Sequence, residues 1–305
     1  MLPKTVTIRE LGPREGFQLL PHTVSTADKL RLIELLVRTG VPEIEVVSFV
    51  RPDRVPQMAD AEEIVTQLPD LGSSTIFTGL YLNPKGFQRS LQSKRLLTRG
   101  WIASAVSESF LRSNANITFQ EEESRIREWV ALFQTSGVGL HGLLLSTAFG
   151  CAIEGPISVA QALGRLSRLL DQVQAAGDLP SEICLADTVG LGDPEQVRSL
   201  IQGVRTLSPA ARITLHLHDT RGTGMANVYA GLLEGVDCFE CSVGGVGGCP
   251  FTPGAAGNVP TEDVAYLCER LGIATGVDLR AYSEAARFVE TLAQHPLPGR
   301  FYKSR

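Results

Sequence analysis

A chain of 305 residues, 43% apolar and 20% charged, is long enough for one large domain or two medium ones, with a core that needs no disulfide or structural metal. Its 33 acidic and 28 basic side chains leave a formal charge of −5, which argues against a general polyanion-binding surface, so neither nucleic acid nor membrane is an expected partner. The composition also argues against disordered and fibrous classes, and no apolar run approaches the roughly 20 residues of a membrane span.

The 30 glycines and 17 prolines punctuate the chain rather than loosen it. In chain order, a strand is predicted at Val6–Leu11, a helix at Thr26–Arg38, strands at Glu43–Ser48, Thr75–Leu82 and Trp101–Val106, and a helix at Phe119–Thr135. A strand at Gly142–Ser146 and a helix at Ile157–Ala175 follow, then Glu182–Asp187 with Pro194–Leu207 and Ile213–His218 with Met225–Leu233. Val236–Val243 completes the strands, and Leu279–Ala293 reads as an added amphipathic helix. About eight alternations of strand and helix imply a parallel sheet, and their number and length match an α/β fold of the (β/α)8 TIM-barrel type with an appended C-terminal helix. An open doubly wound sheet is the runner-up; Leu11-Gly12-Pro13-Arg14-Glu15-Gly16 lacks its G-x-G-x-x-G spacing. No linker is visible, so residues 1–305 are expected to form one catalytic domain, with the barrel at about 4–275 and the helical extension at about 276–305. The N-terminus passes directly into the first strand without a signal or transit peptide, and six scattered cysteines are consistent with reduced thiols, so a cytoplasmic location is expected.

In a barrel, chemistry belongs at the C-terminal ends of the strands. Polar residues gather there: Arg14, Glu15 and Gln18 after the first strand, Glu45 and Ser48 in the second, Asp187 and Thr188 after the sixth, and His216, His218 and Asp219 after the seventh. The sharpest signal is His216-x-His218, because residues i and i+2 of a strand project to one side and both imidazoles can reach one cation. A pair of hydrogen-bonded core histidines would carry the same pattern. A carboxylate from the first strand end and the amide oxygen of Asn258 would complete a mixed nitrogen and oxygen set suited to a divalent Lewis acid. Cys249 lies in a glycine-packed loop, where a thiol can act as acid or base over a substrate. Cys151, after the fifth strand, faces the same mouth, whereas Cys184, Cys238 and Cys268 fit apolar core patterns.

These motifs together resemble the 3-hydroxy-3-methylglutaryl-CoA lyase family of the metal-dependent barrel superfamily of lyases, aldolases and synthases. The carriers are Gly12-Pro13-Arg14-Glu15-Gly16-Phe17-Gln18, Ile44-Glu45-Val46-Val47-Ser48, Asn83-Pro84-Lys85-Gly86-Phe87, Ala186-Asp187-Thr188-Val189-Gly190 and His216-Leu217-His218-Asp219-Thr220. To these is added the glycine loop from Ser242 through Cys249 to Gly257-Asn258 and Thr261-Glu262-Asp263.

The resemblance implies retro-Claisen cleavage of 3-hydroxy-3-methylglutaryl-CoA, or a related 3-hydroxyacyl-CoA, to acetyl-CoA and a keto acid or ketone. It implies a divalent cation, Mg²⁺ or Mn²⁺, on Glu15, His216, His218 and Asn258, with a CoA thioester as substrate and no organic cofactor. Arg14 would stabilise the enolate-like oxygen, and Cys249 would exchange a proton with the substrate. Glu45 would position Arg14 or the metal shell, Asp187 would lie near the metal and the substrate hydroxyl, and Gln18, Ser48, Thr188 and Cys151 would line the substrate. A homodimer is expected, as such barrels often pair.

Two departures stand out. Glu15 occupies the place of the family's metal-binding Asp, and Leu19-Leu20-Pro21 replaces a polar stretch, making the rim more apolar. They keep open a lyase for a more apolar 3-hydroxyacyl-CoA. A Claisen-type acyl-CoA/2-oxoacid synthase and a metal-free scaffold barrel are the further alternatives.

Overall fold

The computed structural model describes residues 1–70, 74–249 and 252–304. Eight parallel strands alternate with helices: β1 (Thr7–Glu10), β2 (Glu43–Ser48), β3 (Ile76–Leu80), β4 (Gly100–Ala105), β5 (Leu140–Ser146), β6 (Glu182–Ala186), β7 (Arg212–His216) and β8 (Cys238–Cys241). The chain divides into two compact units, residues 1–2 with 99–237 and residues 3–98 with 238–305.

In the unit of residues 99–237, β4 pairs with β5, β5 with β6 and β6 with β7, all parallel. Every residue of β6 is buried, as a parallel strand covered on both faces requires. Helices α4 (Glu108–Ala115), α5 (Phe119–Thr135), α6 (Val159–Ala175), α7 (Pro194–Leu207) and α8 (Gly224–Leu233) lie between and after these strands. Reciprocal capping boxes start α5, through Thr118 and Glu121, and α6, through Ser158 and Gln161. Arg165 of α6 is buried with Glu122 and Ser104, with its guanidinium over the Phe119 ring. That charge is thereby matched inside the unit.

In the unit of residues 3–98 and 238–305, β1 lies between β8 and β2, and β2 pairs with β3. Here α1 (Thr26–Arg38) packs against α2 (Ala61–Thr66) and α10 (Leu279–Ala293), and α9 (Thr261–Arg270) packs against α10. The same unit holds α3 (Pro84–Gln92). The C-terminal α10 has the predicted bounds, begins under an Asp278 cap and buries Tyr282, Ala285, Ala286 and Val289. Its apolar face is thus spent within the unit.

Two buried acids pin the turns of this unit. Glu10, with no exposed surface, accepts from Gly12 N at 2.7 Å, Val243 N at 2.9 Å, Thr261 Oγ1 at 2.6 Å and Tyr282 Oη at 3.3 Å. Glu262 accepts from Gly244 N at 3.0 Å, in a turn where Gly244 and Gly245 sit at φ of 65° and 71°, a conformation that favours glycine. Burial pushes the Glu10 carboxyl up to about 7 against these hydrogen bonds, and pushes Glu262 up to about 8.

The folded state therefore binds more protons than the unfolded one between about pH 4.5 and 8. The contribution of these two acids is most favourable at the acid end of the window and declines as pH rises, by up to about 1.4 kcal/mol per pH unit for each group. Urea unfolding of the wild type and of Glu262→Gln at pH 5, 6, 7 and 8 should show stability falling more steeply with pH in the wild type. Equal slopes would show that Glu262 titrates normally in the fold.

Candidate active site

Within the unit of residues 3–98 and 238–305, the site begins where β1 ends. Leu11 N still donates to Cys241 O at 2.8 Å, after which Gly12–Gly16 forms a single π-helical turn with Pro13 in its first positions. The turn fits only because two positions lack side chains. A Cβ on Gly12 would lie 2.7 Å from Glu10 Oε1, and one on Gly16 would lie 2.5 Å from Val246 Cγ1.

This turn carries Arg14 and Glu15. The Arg14 guanidinium is buried and bonds to Glu45 through Nε and Nη2, while Nη2 also meets Glu15 Oε2 at 3.1 Å. Burial acts to lower the Arg14 pKa, but the Glu45 and Glu15 carboxylates more than offset it, so Arg14 stays charged. Burial pushes Glu45 up to about 7, with Arg14 acting to lower it and Glu240 to raise it.

Glu15 Oε1 accepts from Asn258 Nδ2 at 3.0 Å. Asn258 is fully buried, and its Oδ1 has no hydrogen-bond partner among the described residues. A buried amide oxygen left in that state is costly unless something electropositive meets it. Ser48 Oγ, fully buried at the end of β2, and Gln18 Oε1 are likewise unpartnered.

Within the unit of residues 99–237, His216 is the last residue of β7 and His218 lies just past it, so the i, i+2 relation extends beyond the regular strand. Both are buried, and their Nε2 atoms are 3.2 Å apart. Two nitrogens each about 2.1 Å from one ion at a right angle stand about 3 Å apart, so this convergence is the spacing a shared cation needs.

Three other expected residues of this unit are engaged with backbone. Asp187 accepts from Leu191 N and Gly192 N, each at 2.9 Å, and burial raises its pKa against those bonds and the nearby His218 and His216. Thr188 Oγ1 accepts from Thr147 N at 2.8 Å. Cys151 is buried, and its sulfur accepts from Ile153 N at 3.3 Å. These groups shape the loops after β5 and β6.

The glycine-packed segment holding Cys249 contains strand pairing that its composition does not announce. Gly248–Cys249 pairs antiparallel with Thr252–Ala256. The Cys249 side chain lies outside the described residues. Leu20, expected at an apolar rim, is buried and belongs to the core. Sequence reasoning missed Glu10 and gave Glu262 no role beyond its place in the glycine-loop motif; the available signal was a carboxylate at the end of a mostly buried strand and another at the start of a helix.

A family model described as HMGL-like matches residues 5–289. The hydroxymethylglutaryl-CoA lyase YngG of Bacillus subtilis is 35% identical over 298 residues, covering 98% of this chain and 96% of its own length. A 3-hydroxy-3-isohexenylglutaryl-CoA/hydroxymethylglutaryl-CoA lyase of Pseudomonas aeruginosa is 37% identical over 286 residues, covering 94% of this chain and 92% of its own. Among solved structures, an HMG-CoA lyase of Bacillus subtilis superimposes with a TM-score of 0.90 at 34% identity, over 99% of this chain and 98% of that one. The fold is accordingly the expected TIM barrel with a C-terminal helix. The match takes in the Arg14–Glu15 turn, both histidines and Asn258, and the chain belongs to the HMGL-like family of carbon–carbon lyases.

Proposed function

We propose that this chain cleaves the C2–C3 bond of 3-hydroxy-3-methylglutaryl-CoA, or of a closely related 3-hydroxyacyl-CoA, in a retro-Claisen reaction that needs Mg²⁺ or Mn²⁺. Glu15, His216, His218 and Asn258 would hold the cation, a donor set of one carboxylate, two imidazoles and one amide oxygen. The observation that carries this reading is Asn258: Glu15 fixes its Nδ2, leaving its buried Oδ1 as an acceptor awaiting a cation.

When bound, the cation supplies a Lewis acid that eases loss of the substrate's tertiary hydroxyl proton. The electron pair on that oxygen forms the new C3 carbonyl while the C2–C3 pair moves onto the acetyl fragment as a thioester enolate. Arg14, kept charged by Glu45, would stabilise the enolate oxygen. The Cys249 thiolate would take the hydroxyl proton and, as the thiol so formed, return it to C2, giving acetyl-CoA. Ser48 Oγ and Gln18 Oε1 retain free hydrogen-bonding capacity and are assigned to substrate. Asp187 would lie near the cation and the substrate hydroxyl, and Thr188 and Cys151 would line the substrate, with their backbone hydrogen bonds holding those loops in place.

A second reading, a preference for a bulkier apolar C3 substituent, is favoured by Glu15 itself. The extra methylene relative to Asp moves the carboxylate by about 1.5 Å, a large step where groups must be held within about 0.5 Å.

We also take residues 1–305 as one catalytic domain, since the family match runs through both compact units. A cytoplasmic homodimer is proposed as well. Five described cysteines are free thiols, which supports a reducing compartment, and no helix among the described residues is long and apolar enough to cross a membrane. Light scattering should give twice the 32.9 kDa chain mass, and a monomer at micromolar concentration would refute the dimer.

Acetyl-CoA release from a panel of 3-hydroxyacyl-CoAs tests the activity; it should require added Mg²⁺ or Mn²⁺, and no cleavage of any member would overturn the reading. Arg14→Met should lower kcat by about 10²–10³-fold with KM little changed, as loss of a transition-state contact does. Glu15→Asp should withdraw the carboxylate from Asn258 and weaken Mn²⁺ binding by about 10-fold, read by calorimetry independently of turnover. Unchanged affinity would show that Glu15 does not govern the cation.

A further inference from the structure

We propose that Glu10 is a positioning residue for this reaction: its carboxylate clamps the Gly12–Gly16 turn, which presents Arg14 and Glu15, to the Val243–Gly245 turn and to the start of α9 beside Asn258. The inference rests on the lyase reading above and adds a residue that touches neither substrate nor cation.

The geometry is specific. Oε1 takes Gly12 N and Val243 N, and Oε2 takes Thr261 Oγ1 and Tyr282 Oη. Gly12 is two residues before Arg14, and Thr261 three residues after Asn258. Val243 opens the turn that leads to the Cys249 segment. A carboxylate offers acceptor positions only, and four donors from four segments occupy them. Close approach is enforced, since a Cβ on Gly12 would meet both Glu10 Oε1 at 2.7 Å and Val243 Cγ1 at 2.8 Å.

Burying an acid among these segments is expensive, and an apolar residue would fill the same volume without that cost. What an apolar residue lacks is direction. Four hydrogen bonds fix where the Arg14–Glu15 turn stands relative to Asn258, and the Glu15 Oε1 to Asn258 Nδ2 bond at 3.0 Å depends on that placement. Tyr282 brings the C-terminal helix into the clamp, so α10 supports the site as well as covering α1.

Glu10→Gln and Glu10→Asp separate positioning from both charge and bulk stability. The Gln variant keeps an oxygen for Gly12 and Val243, and its amide can donate to the Thr261 and Tyr282 hydroxyls, whereas Asp falls short by one methylene. Expected for Glu10→Asp is a folded protein with kcat reduced about 30-fold or more, KM within about 3-fold and Mn²⁺ affinity reduced about 10-fold, with Gln restoring both readouts to within about 3-fold.

Wild-type kcat and Mn²⁺ affinity in a merely less stable Asp variant would overturn the proposal, as would a Gln variant as impaired as Asp, because hydrogen-bond placement alone would then not restore the site. Should Asp fail to fold, Thr261→Val removes one donor and is expected to lower Mn²⁺ affinity about 3-fold; wild-type affinity there overturns the proposal. Mn²⁺ binding is read without turnover, so a wild type that cleaves no acyl-CoA would refute the lyase reading while leaving this test decisive.

Discussion

The site is organised around a guanidinium out of water. Arginine cannot shed its charge on burial as a lysine can, so Arg14 obliges its surroundings to supply carboxylates. Glu45 and Glu15 do so, and each is then constrained in turn. For Glu45, burial and Glu240 act to raise the carboxyl's pKa while Arg14 acts to lower it. Glu15 has one oxygen on Arg14 and the other on the Asn258 amide. The orientation of Asn258, and hence the direction of its unpartnered oxygen, follows from where Arg14 is buried. The glycines at 12 and 16 are the backbone consequence of the same demand, because the turn must come close enough for these contacts to form.

Much of this was legible in the residue pattern, for identifiable reasons. Strand and helix alternation is a local property, and the helices of 13 residues or more show their period directly; α1, α5, α7 and α10 have the expected bounds. The i, i+2 histidines needed only strand geometry. Helices α2, α3, α4 and α9, of six to ten residues, were absent from that reading because two turns hardly establish a period. Their caps were nonetheless present, as Asn83 accepts from Gly86 N and Ser107 from Phe110 N.

What stayed hidden was long-range hydrogen bonding. Glu10 reaches donors 233, 251 and 272 residues away, and no periodicity encodes such separations. Asp187, Thr188 and Cys151 show the converse. Their residue types promise chemistry, and the backbone N–H groups they also accept from are contacts that only coordinates reveal. The paired Gly248–Cys249 and Thr252–Ala256 segments were hidden for a similar reason, since a glycine-rich stretch reads as loose until its ladder partners are known.

The occupancy of acceptors divides the buried acids by task. Glu10 has its oxygens filled by four donors, so neither oxygen is directed at a reactant. Glu15 differs: its partners are a cation and an amide that themselves belong to the site, and its side chain keeps 16% of its surface exposed. The extra methylene that separates it from the family's aspartate lets one carboxylate span from Arg14 to Asn258. That span ties the Arg14 guanidinium to the Asn258 amide, the two groups the proposed reaction asks to act together.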